Sequence, residues 1–377
     1  MTSPPAARPA NPSFSSGPCP KPPGWSLGSL DTRILGRSHR SALGKARLQE
    51  AIERTHALLE LPADYRLGIV PASDTGAMEM AIWSLLGPHP VTMLAWESFG
   101  AGWVTDVAKQ LRLEAEIRTA PYGEICDLRG IDPESDIVFT WNGTTSGVRV
   151  PNADWIAADR RGLTICDATS AAFAQEIDWR KIDVATFSWQ KALGGEAAHG
   201  MLVLSPRAVE RLEHQLQPRP LPKIFRLTKN GKLIEGIFRG ETINTPSMLC
   251  VEDWIAVLKW AESVGGLRAL VSRADANAAA LDRWVQSAGW IEHLATDPAI
   301  RSNTSVCLQF ADRSDEERNR ALQKALVKRL EEEGAAFDVG AYRDAPPGLR
   351  IWCGATVETG DIEALGPWLD WAWEQAQ

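Results

Sequence analysis

The stretch from Asp183 to Gly195 reads Asp-Val-Ala-Thr-Phe-Ser-Trp-Gln-Lys-Ala-Leu-Gly-Gly. Its apolar half is typical of a buried strand that delivers Lys191 into a turn, where the two glycines permit close approach of backbone or ligand. Desolvation at such a place lowers the pKa of a lysine and frees the lone pair that forms a Schiff base with a carbonyl compound. Taken alone, the pattern favours a strand-end lysine whose amine lies in water.

A second predicted strand places a carboxylate at the same edge of a sheet. Asp167 ends the segment Leu-Thr-Ile-Cys-Asp, 24 residues before Lys191, and ligands of open α/β sheets gather at the carboxyl ends of the strands. An aspartate there could cap a helix. Paired with Lys191, it could instead keep a pyridine nitrogen protonated, which lets pyridoxal phosphate accept electrons.

A phosphate site is available in the segment Val-Pro-Ala-Ser-Asp-Thr-Gly-Ala at 70–77. It reads as a strand, then a polar turn with Thr75 and Gly76, then the start of a helix. Free backbone N–H groups and the helix dipole bind an anion at such a point. Ser73 or Asp74 could equally cap the helix without any ligand.

Strands and helices alternate on both sides of these motifs, which predicts an α/β fold with a large, mostly parallel sheet and a smaller C-terminal α/β domain. The predicted domains are an irregular arm laid over the surface at 1–35, a large domain at 36–260 and a small domain at 261–377. The basic segment 219–239 is typical of a solvated loop, with attraction of anionic substrates as the alternative. The predicted strands are 67–71, 91–96, 137–141, 163–166, 184–188, 201–204, 304–310 and 349–353. The predicted helices are one beginning at Ser41 and others at 76–86, 102–111, 252–270, 274–287, 314–333 (opening on a capping box at Ser314) and 361–376.

The composition is that of an ordinary globular protein, with 44% apolar and 23% charged residues among 377. The net charge of −8 argues against nucleic acid or an anionic membrane as a partner. The sequence predicts no transmembrane segment, and the proline-rich N-terminus lacks the apolar core of a secretory signal, so a cytoplasmic location is expected. The six cysteines lack metal-ligand spacing, which predicts reduced thiols and no metal site.

Five motifs occur in the order in which a known family has them. Together they resemble the class V aminotransferases of the type I pyridoxal-phosphate fold and, more narrowly, the branch of that family that acts on phosphoserine. The resemblance covers nearly the whole chain, and its specificity comes from the order of the motifs. They are Phe-Ser-Ser-Gly-Pro at 14–18, Ser-His-Arg-Ser at 38–41, Trp-Asn-Gly-Thr-Thr-Ser-Gly-Val at 141–148, Trp-Gln-Lys at 189–191 and Ile-Asn-Thr-Pro at 243–246.

The resemblance implies pyridoxal 5′-phosphate as the cofactor. Lys191 would form the Schiff base with it, Asp167 would pair with its pyridine nitrogen, and Thr144 would hydrogen-bond its ring hydroxyl. A complete site would require a homodimer, because part of the phosphate site would come from the partner subunit. The residues implied to bind the phosphate are Thr75, Gly76 and Gln190, joined by Asn244 and Thr245 across the dimer.

The resemblance also implies a substrate site. His39 and Arg40 look like a substrate-binding pair, with a solvated surface pair as the alternative. Arg350 looks like the clamp for the substrate carboxylate, which a planar guanidinium grips through two parallel hydrogen bonds. Where the family commonly stacks a tryptophan on the cofactor ring, this chain offers Phe99, which we prefer, with Trp103 close by.

The implied reaction is reversible amino transfer between O-phospho-L-serine and 2-oxoglutarate, giving 3-phosphohydroxypyruvate and L-glutamate in serine biosynthesis. An alanine–glyoxylate or serine–pyruvate aminotransferase is the alternative on the same fold, and His39 with Arg40 argues against it. A non-catalytic scaffold would require loss of the catalytic residues, yet Lys191 and Asp167 are both present. Arg343 stands where the family often has histidine, and it could meet a substrate phosphate or solvent.

Overall fold

The computed structural model describes residues 3–215 and 219–377, which build a seven-stranded sheet, a three-stranded sheet and two short two-stranded ladders. None of the helices in these ranges is both long and apolar enough to cross a membrane. The strands are β1 Arg66–Pro71, β2 Val91–Ala95, β3 Ala115–Thr119, β4 Asp136–Thr140, β5 Asn142–Gly143, β6 Val148–Arg149, β7 Thr164–Asp167, β8 Val184–Ser188, β9 His199–Leu204, β10 Thr228–Lys229, β11 Lys232–Leu233, β12 Ile291–His293, β13 Ser305–Phe310 and β14 Gly348–Trp352. The α-helices are α1 Ala42–Leu58, α2 Ser73–Leu85, α3 Ser98–Thr105, α4 Pro206–His214, α5 Met248–Ser263, α6 Gly266–Ala288, α7 Glu316–Glu332 and α8 Thr359–Ala376.

The larger sheet brings the carboxyl ends of its central strands side by side. Its order is β1-β9-β8-β7-β4-β2-β3, with β3, β2, β4, β7 and β8 parallel and β9 antiparallel to both of its neighbours. The register sets Thr140 beside Asp167 and Asp167 beside Thr186. The mostly parallel sheet predicted from the apolar runs is therefore confirmed, and β4, β7 and β8 are buried along their whole length, as strands covered on both faces must be.

Helix α1 forms where the apolar spacing predicts it. Ser41 caps its first turn by accepting a hydrogen bond from the backbone N–H of Gly44 at 3.1 Å. The buried face carries Leu48, Ala51 and Ile52 among others and packs against α5. The apolar residues spaced three and four positions apart thus form the buried face that amphipathic spacing predicts.

Several predicted boundaries are wrong. The break between the two C-terminal helices comes at Gly265, whose left-handed conformation (φ 112°) ends one helix and begins the next, so α6 runs unbroken through the predicted gap at 271–273. The cap of α7 is Asp315, which accepts from the backbone N–H of Arg318 at 2.9 Å, rather than Ser314. Helix α2 begins at Ser73, three residues before its predicted start. The sequence reading missed β3 and β12 altogether.

The smaller sheet is the antiparallel arrangement β12-β13-β14. Helices α6 and α7 both pack against α8, and tryptophans join these layers. Trp290 and Trp373 stack with ring centroids 4.6 Å apart, and the indoles of Trp284 and Trp290 both donate to the carboxylate of Asp370. The predicted domain limit at 260–261 lies within α5, and the division into two domains stays a prediction.

Residues 3–35, the described part of the predicted arm, contain no α-helix or long strand, but they do not simply lie over the surface. Phe14 is completely buried, and its backbone oxygen accepts from the N–H of Trp352 in the smaller sheet at 3.0 Å. Cys19 N–H donates to the oxygen of Gln190 beside the larger sheet at 2.8 Å. Gly194 leaves room for this passage, since a Cβ there would overlap the backbone of Pro20. The arm therefore connects both sheets.

A buried ion pair gives a test of the larger sheet. Asp136 opens β4 without solvent exposure and accepts hydrogen bonds from Arg211 Nη1 at 2.9 and 3.1 Å. Arg211→Met leaves that carboxylate buried and unpaired, so we expect the free energy of unfolding to fall by about 3–5 kcal/mol. Arg180→Met removes an exposed arginine paired with Asp178 and should cost about 0–1 kcal/mol. Urea denaturation at fixed protein concentration measures both, and equal losses would contradict the assignment.

Candidate active site

Lys191 follows β8 and points its amine into a cavity. Its Nζ donates a hydrogen bond to the backbone oxygen of Ser16 at 2.6 Å, and a side chain at Gly17 would occupy the space that Nζ takes. No carboxylate of the described residues lies within ion-pair distance of Nζ. Burial, aided by the charge of Arg350, lowers the pKa of Lys191 below its ordinary value. The predicted desolvated lysine is what the structure contains.

Asp167 ends β7 and lines the same cavity as Lys191. Its Oδ2 accepts a hydrogen bond from Trp103 Nε1 at 3.1 Å, and its Oδ1 accepts one from the N–H of Thr169 at 3.0 Å. These two donors fix the orientation of the carboxylate. The structure thus brings together the two strand-end residues that the sequence singled out, and their chemical roles stay predictions.

A second carboxyl group, that of Asp74 in the first turn of α2, lines the same cavity beside Asp167. The sequence indicates Asp74 only as a possible helix cap, whereas the helix is preceded by Ala72 and makes no side-chain cap bond. Burial, reinforced by the charge of Asp167, raises the pKa of Asp74 well above its ordinary value. Of two carboxyl groups in contact, one keeps its proton and can donate it in a hydrogen bond to the other. Asp74 is the member that keeps it.

The cavity has a volume of about 340 Å³ and is lined by polar atoms that lack partners. Buried polar atoms are nearly always hydrogen-bonded, so such a group indicates that the cavity takes a polar ligand. Thr75 lines the cavity from the first turn of α2, and Gly76 follows it where a Cβ would overlap the backbone of Pro71. In the described part of the chain, the buried lining atoms without a partner are Asp74 Oδ1, Thr140 Oγ1, Thr169 Oγ1 and Gln190 Oε1.

Thr144 lies in the same cavity and is held by two serines. Its Oγ1 is 2.6 Å from Ser170 Oγ, and its backbone oxygen accepts from Ser305 Oγ at 2.6 Å. Ser170 in turn accepts from the side-chain amide of Asn142 at 2.8 Å. Ser305 belongs to β13, so its hydrogen bond ties the smaller sheet to the backbone of Thr144.

Phe99 and Trp103 both line the cavity from α3. Phe99 is 40% exposed, and its ring lies 5.9 Å from that of Tyr342. Trp103 is buried, and its indole N–H already binds Asp167. Phe99 therefore keeps the freer ring face, which agrees with the preference for it as the stacking residue without testing that role.

Arg350 lies in β14, at the side of the site nearer the smaller sheet. Its guanidinium carbon is 5.5 Å from the ring centre of Tyr342, and its Nε is buried without a partner among the described residues. At Lys191 burial lowers the pKa, and the charge of Arg350 adds to that effect. At Cys307 burial raises the pKa, and the charge of Arg350 opposes that rise. An unpartnered buried guanidinium nitrogen is suited to an anion such as a carboxylate. Arg343 is exposed and contacts Asp344 and Tyr342.

Glu97 is a site residue that sequence reasoning missed. It is 4% exposed, and its two carboxyl oxygens accept from the N–H of Gly100 at 2.7 Å and from Thr145 Oγ1 at 2.9 Å. It thereby joins the start of the helix that carries Phe99 to the loop that carries Thr144. Burial raises its pKa to about 7. An acidic residue directly before a helix is a capping signal that could have drawn attention to it.

Six of the predicted site residues do not line this cavity: Gly76 and Arg350 border the site, and the other four lie elsewhere. His39 and Arg40 line a separate cavity with Thr242 and Ile243. Asn244 and Thr245 follow directly and are exposed, and Asn244 Nδ2 donates to the backbone oxygen of Thr245 at 3.2 Å. Within one chain, therefore, these four do not meet Lys191.

The sequence is 58% identical over 370 residues to the phosphoserine aminotransferase of Methanosarcina barkeri, with 98% of each chain covered. The chain belongs to the phosphoserine aminotransferase family. This membership confirms the resemblance carried by the five ordered motifs, although no protein-family model matches the sequence.

Solved phosphoserine aminotransferases have the same fold as this chain. The structure from Cytophaga hutchinsonii has a TM-score of 0.81 at 22% identity and covers 95% of this chain and 98% of its own. The pyridoxal-phosphate-bound enzyme from Trichomonas vaginalis has a TM-score of 0.75 at 17% identity, with 94% and 98% covered. At these identities the likeness concerns the fold, and it confirms the predicted type I aminotransferase architecture.

The raised pKa of Glu97 predicts a pH-dependent stability in this phosphoserine aminotransferase. The folded protein favours the protonated acid, so its contribution is complete below pH 4.5, the ordinary pKa, and is lost as the pH rises towards about 7. Glu97→Gln mimics the protonated form, because its amide oxygen can accept from the N–H of Gly100 while its NH2 group can donate to Thr145 Oγ1. We expect its unfolding free energy relative to wild type to rise by up to about 3 kcal/mol between pH 4.5 and 7.

The matched control for this prediction is Glu332→Gln, at an exposed position beside Lys328. Urea denaturation of wild type and both variants at pH 4.5, 5.5, 6.5 and 7.5 measures the difference. A Glu97→Gln curve parallel to wild type over this range would show that the acid is already ionised at pH 4.5.

Proposed function

We propose that this chain catalyses reversible amino transfer between O-phospho-L-serine and 2-oxoglutarate, giving 3-phosphohydroxypyruvate and L-glutamate. The observation that carries the proposal is the meeting of a desolvated Lys191 and an oriented Asp167 in one cavity. The relative at 58% identity is named for this activity, which supports the choice of substrate. Serine biosynthesis is the pathway to which the reaction would belong.

The cavity fits pyridoxal 5′-phosphate as its cofactor. The cofactor is a ring with one carbonyl, one basic nitrogen and one phosphate. The amine of the cavity matches the carbonyl, the carboxylate matches the nitrogen, and the unpartnered polar atoms match the remaining polar groups. Lys191 would bind the carbonyl carbon, Asp167 the ring nitrogen and Thr144 the ring hydroxyl. Thr75, Gly76 and Gln190 would bind the phosphate. When bound, the cofactor supplies an electron sink for the pair left by a broken Cα–H bond.

Lys191 is the proposed proton carrier. An amine held in an ion pair would stay protonated, but Nζ has a neutral backbone oxygen as its hydrogen-bond partner and a lowered pKa. A neutral Nζ can therefore take up the proton of the substrate Cα and deliver it to the carbonyl carbon of the cofactor, in the same cavity. The Ser16 oxygen would orient the amine while it is free.

Asp167 is the proposed anchor of the ring nitrogen. Trp103 and Thr169 donate to its two oxygens, and Asp74 lies in the same cavity. The two donors fix the direction of the carboxylate, so it can stabilise a positive charge on the nitrogen. Phe99 would cover the ring and limit access of water.

Arg350 is the proposed clamp for the carboxylate next to the reacting carbon. Both amino-acid substrates carry that group, so the same arginine serves both half-reactions. The ring of Tyr342 under the guanidinium restricts its orientation before substrate arrives. His39 and Arg40 would bind the distal group, a phosphate in one substrate and a carboxylate in the other.

The homodimer is part of the proposal because of where four residues lie. His39, Arg40, Asn244 and Thr245 are remote from the Lys191 cavity of their own chain but belong to one face, since His39 and Arg40 share a cavity with Ile243. If that face meets the cavity of a second copy, both the cofactor phosphate and the substrate gain their remaining ligands. A cytoplasmic location is likewise proposed, supported by six unpaired cysteines.

Lys191→Ala tests the activity and the attachment of the cofactor together. Wild-type protein should be yellow, retain pyridoxal phosphate covalently after borohydride reduction, and change its absorbance with O-phospho-L-serine but far less with L-serine or L-alanine. Lys191→Ala should lose the covalent retention and turnover, because the amine is gone. Lys181→Ala, which removes a lysine that donates to Ile156 instead, should keep both. Covalent retention in Lys191→Ala, or an equal response to L-alanine, would overturn the proposal.

A mixed dimer tests the shared site. Lys191→Ala and an Asn244→Asp/Thr245→Asp double variant should each be inactive, the second because carboxylates repel the cofactor phosphate. In a mixed dimer one site carries both defects and the other carries none. Half of randomly exchanged dimers are mixed and each has one intact site, so activity should recover to about a quarter of wild type. No recovery despite demonstrated subunit exchange would place the whole site within one chain.

A further inference from the structure

The basic segment 219–239 forms a wall of the second cavity, the one that contains His39 and Arg40. This cavity has a volume of about 680 Å³. Its one carboxylate among the described lining residues, Glu241, lies 3.1 Å from Lys45. The positively charged or chargeable side chains that line it are His39, Arg40, Lys45, Lys223, Arg226 and Lys229.

The wall is anchored to the body of the protein, which distinguishes it from a freely solvated loop. Leu227 and Ile237 are each 1% exposed. Ser84 Oγ donates to the backbone oxygen of Phe225 at 2.8 Å, and the ring of Phe225 lies 6.3 Å from that of Trp83. The apolar side chains therefore face inward, and the cations between them are held towards the cavity.

Three cations of this wall line the cavity, and none of them has an ion-pair partner in the part of the chain that the structure describes. Lys223, Arg226 and Lys229 have no carboxylate within 4 Å among the described residues, whereas Lys232, on the same hairpin but outside the cavity, pairs with Glu213 at 3.1 Å. Like charges gathered in one concave surface repel one another, and an anion bound among them relieves that repulsion. The whole chain has a net charge of −8, so this group of cations is a local feature and does not follow from the overall composition.

We propose that Lys223 and Lys229 are further specificity-determining residues, which act beside His39 and Arg40 on the phosphate of a phosphorylated substrate and strengthen its selection over unphosphorylated ones. A phosphate dianion presents three oxygens and two charges, which match several convergent cations, whereas one arginine satisfies a carboxylate. The inference rests on the proposed function in taking His39 and Arg40 as binders of the distal substrate group and in the shared dimer site that brings this cavity to the Lys191 of a second copy.

The test compares Lys223→Gln/Lys229→Gln with Lys232→Gln/Lys328→Gln, which removes the same charge from exposed positions outside the cavity. Calorimetric titration of the cofactor-loaded full chain with inorganic phosphate at low ionic strength should give about five- to tenfold weaker binding for the first variant and less than twofold for the second. The difference should shrink at about 0.5 M salt, because the lysines are exposed. The KM for O-phospho-L-serine should rise by a similar factor, with kcat unchanged and the KM for glutamate affected less.

Equal phosphate affinity in all three proteins would overturn the inference, as would equal weakening in both variants, which would reflect net charge alone. Weaker phosphate binding with an unchanged KM for O-phospho-L-serine would also overturn it, because the cavity would then not hold the substrate. The proposed function fails separately, through absence of phosphoserine turnover in the wild type.

Discussion

The Lys191 amine is buried with a neutral hydrogen-bond partner, and much of the chain is arranged to keep it so. The Ser16 oxygen satisfies one N–H without adding a charge, so desolvation prevails and the pKa falls. That oxygen comes from an arm anchored by Phe14 against the smaller sheet, while the lysine comes from the end of β8 in the larger one. The two sheets must therefore be in place together for the amine to have its environment.

The strand-end residues could be predicted from the sequence because parallel strands leave little freedom. Once 164–167 and 184–188 are neighbouring parallel strands, Asp167 and the turn holding Lys191 share an edge of the sheet. Family motifs supplied their proposed roles. The anchored hairpin that contains Lys223 and Lys229 could not be predicted in this way, because the basic composition of 219–239 gives no sign of which side chains face inward.

The burial of the carboxyl groups of Asp74 and Glu97 could not be predicted from the sequence. Asp74 turns towards Asp167 because Ala72 and Ser73 take left-handed conformations, with φ of 67° and 54°, which neither residue type signals. In the sequence Glu97 looks like an ordinary helix cap, whereas in the structure its carboxyl group also accepts a hydrogen bond from Thr145 of a neighbouring loop. Their raised pKa values follow from burial, a property of the assembled fold that local sequence does not carry. The local sequence pattern therefore predicts some features of the site, whereas others arise only from the complete tertiary structure.

The arm has a consequence for the order in which the molecule is completed during synthesis. Ser13 pairs with Phe337 and Phe14 with Trp352, so during synthesis these two residues wait for partners made more than 300 residues later. At roughly 5–20 residues per second, that delay is tens of seconds. The contacts of Cys19 and Pro20 with the larger sheet need only residues made earlier, up to Gly194. The attachment of the arm to the smaller sheet is therefore among the last contacts that a newly made chain can form.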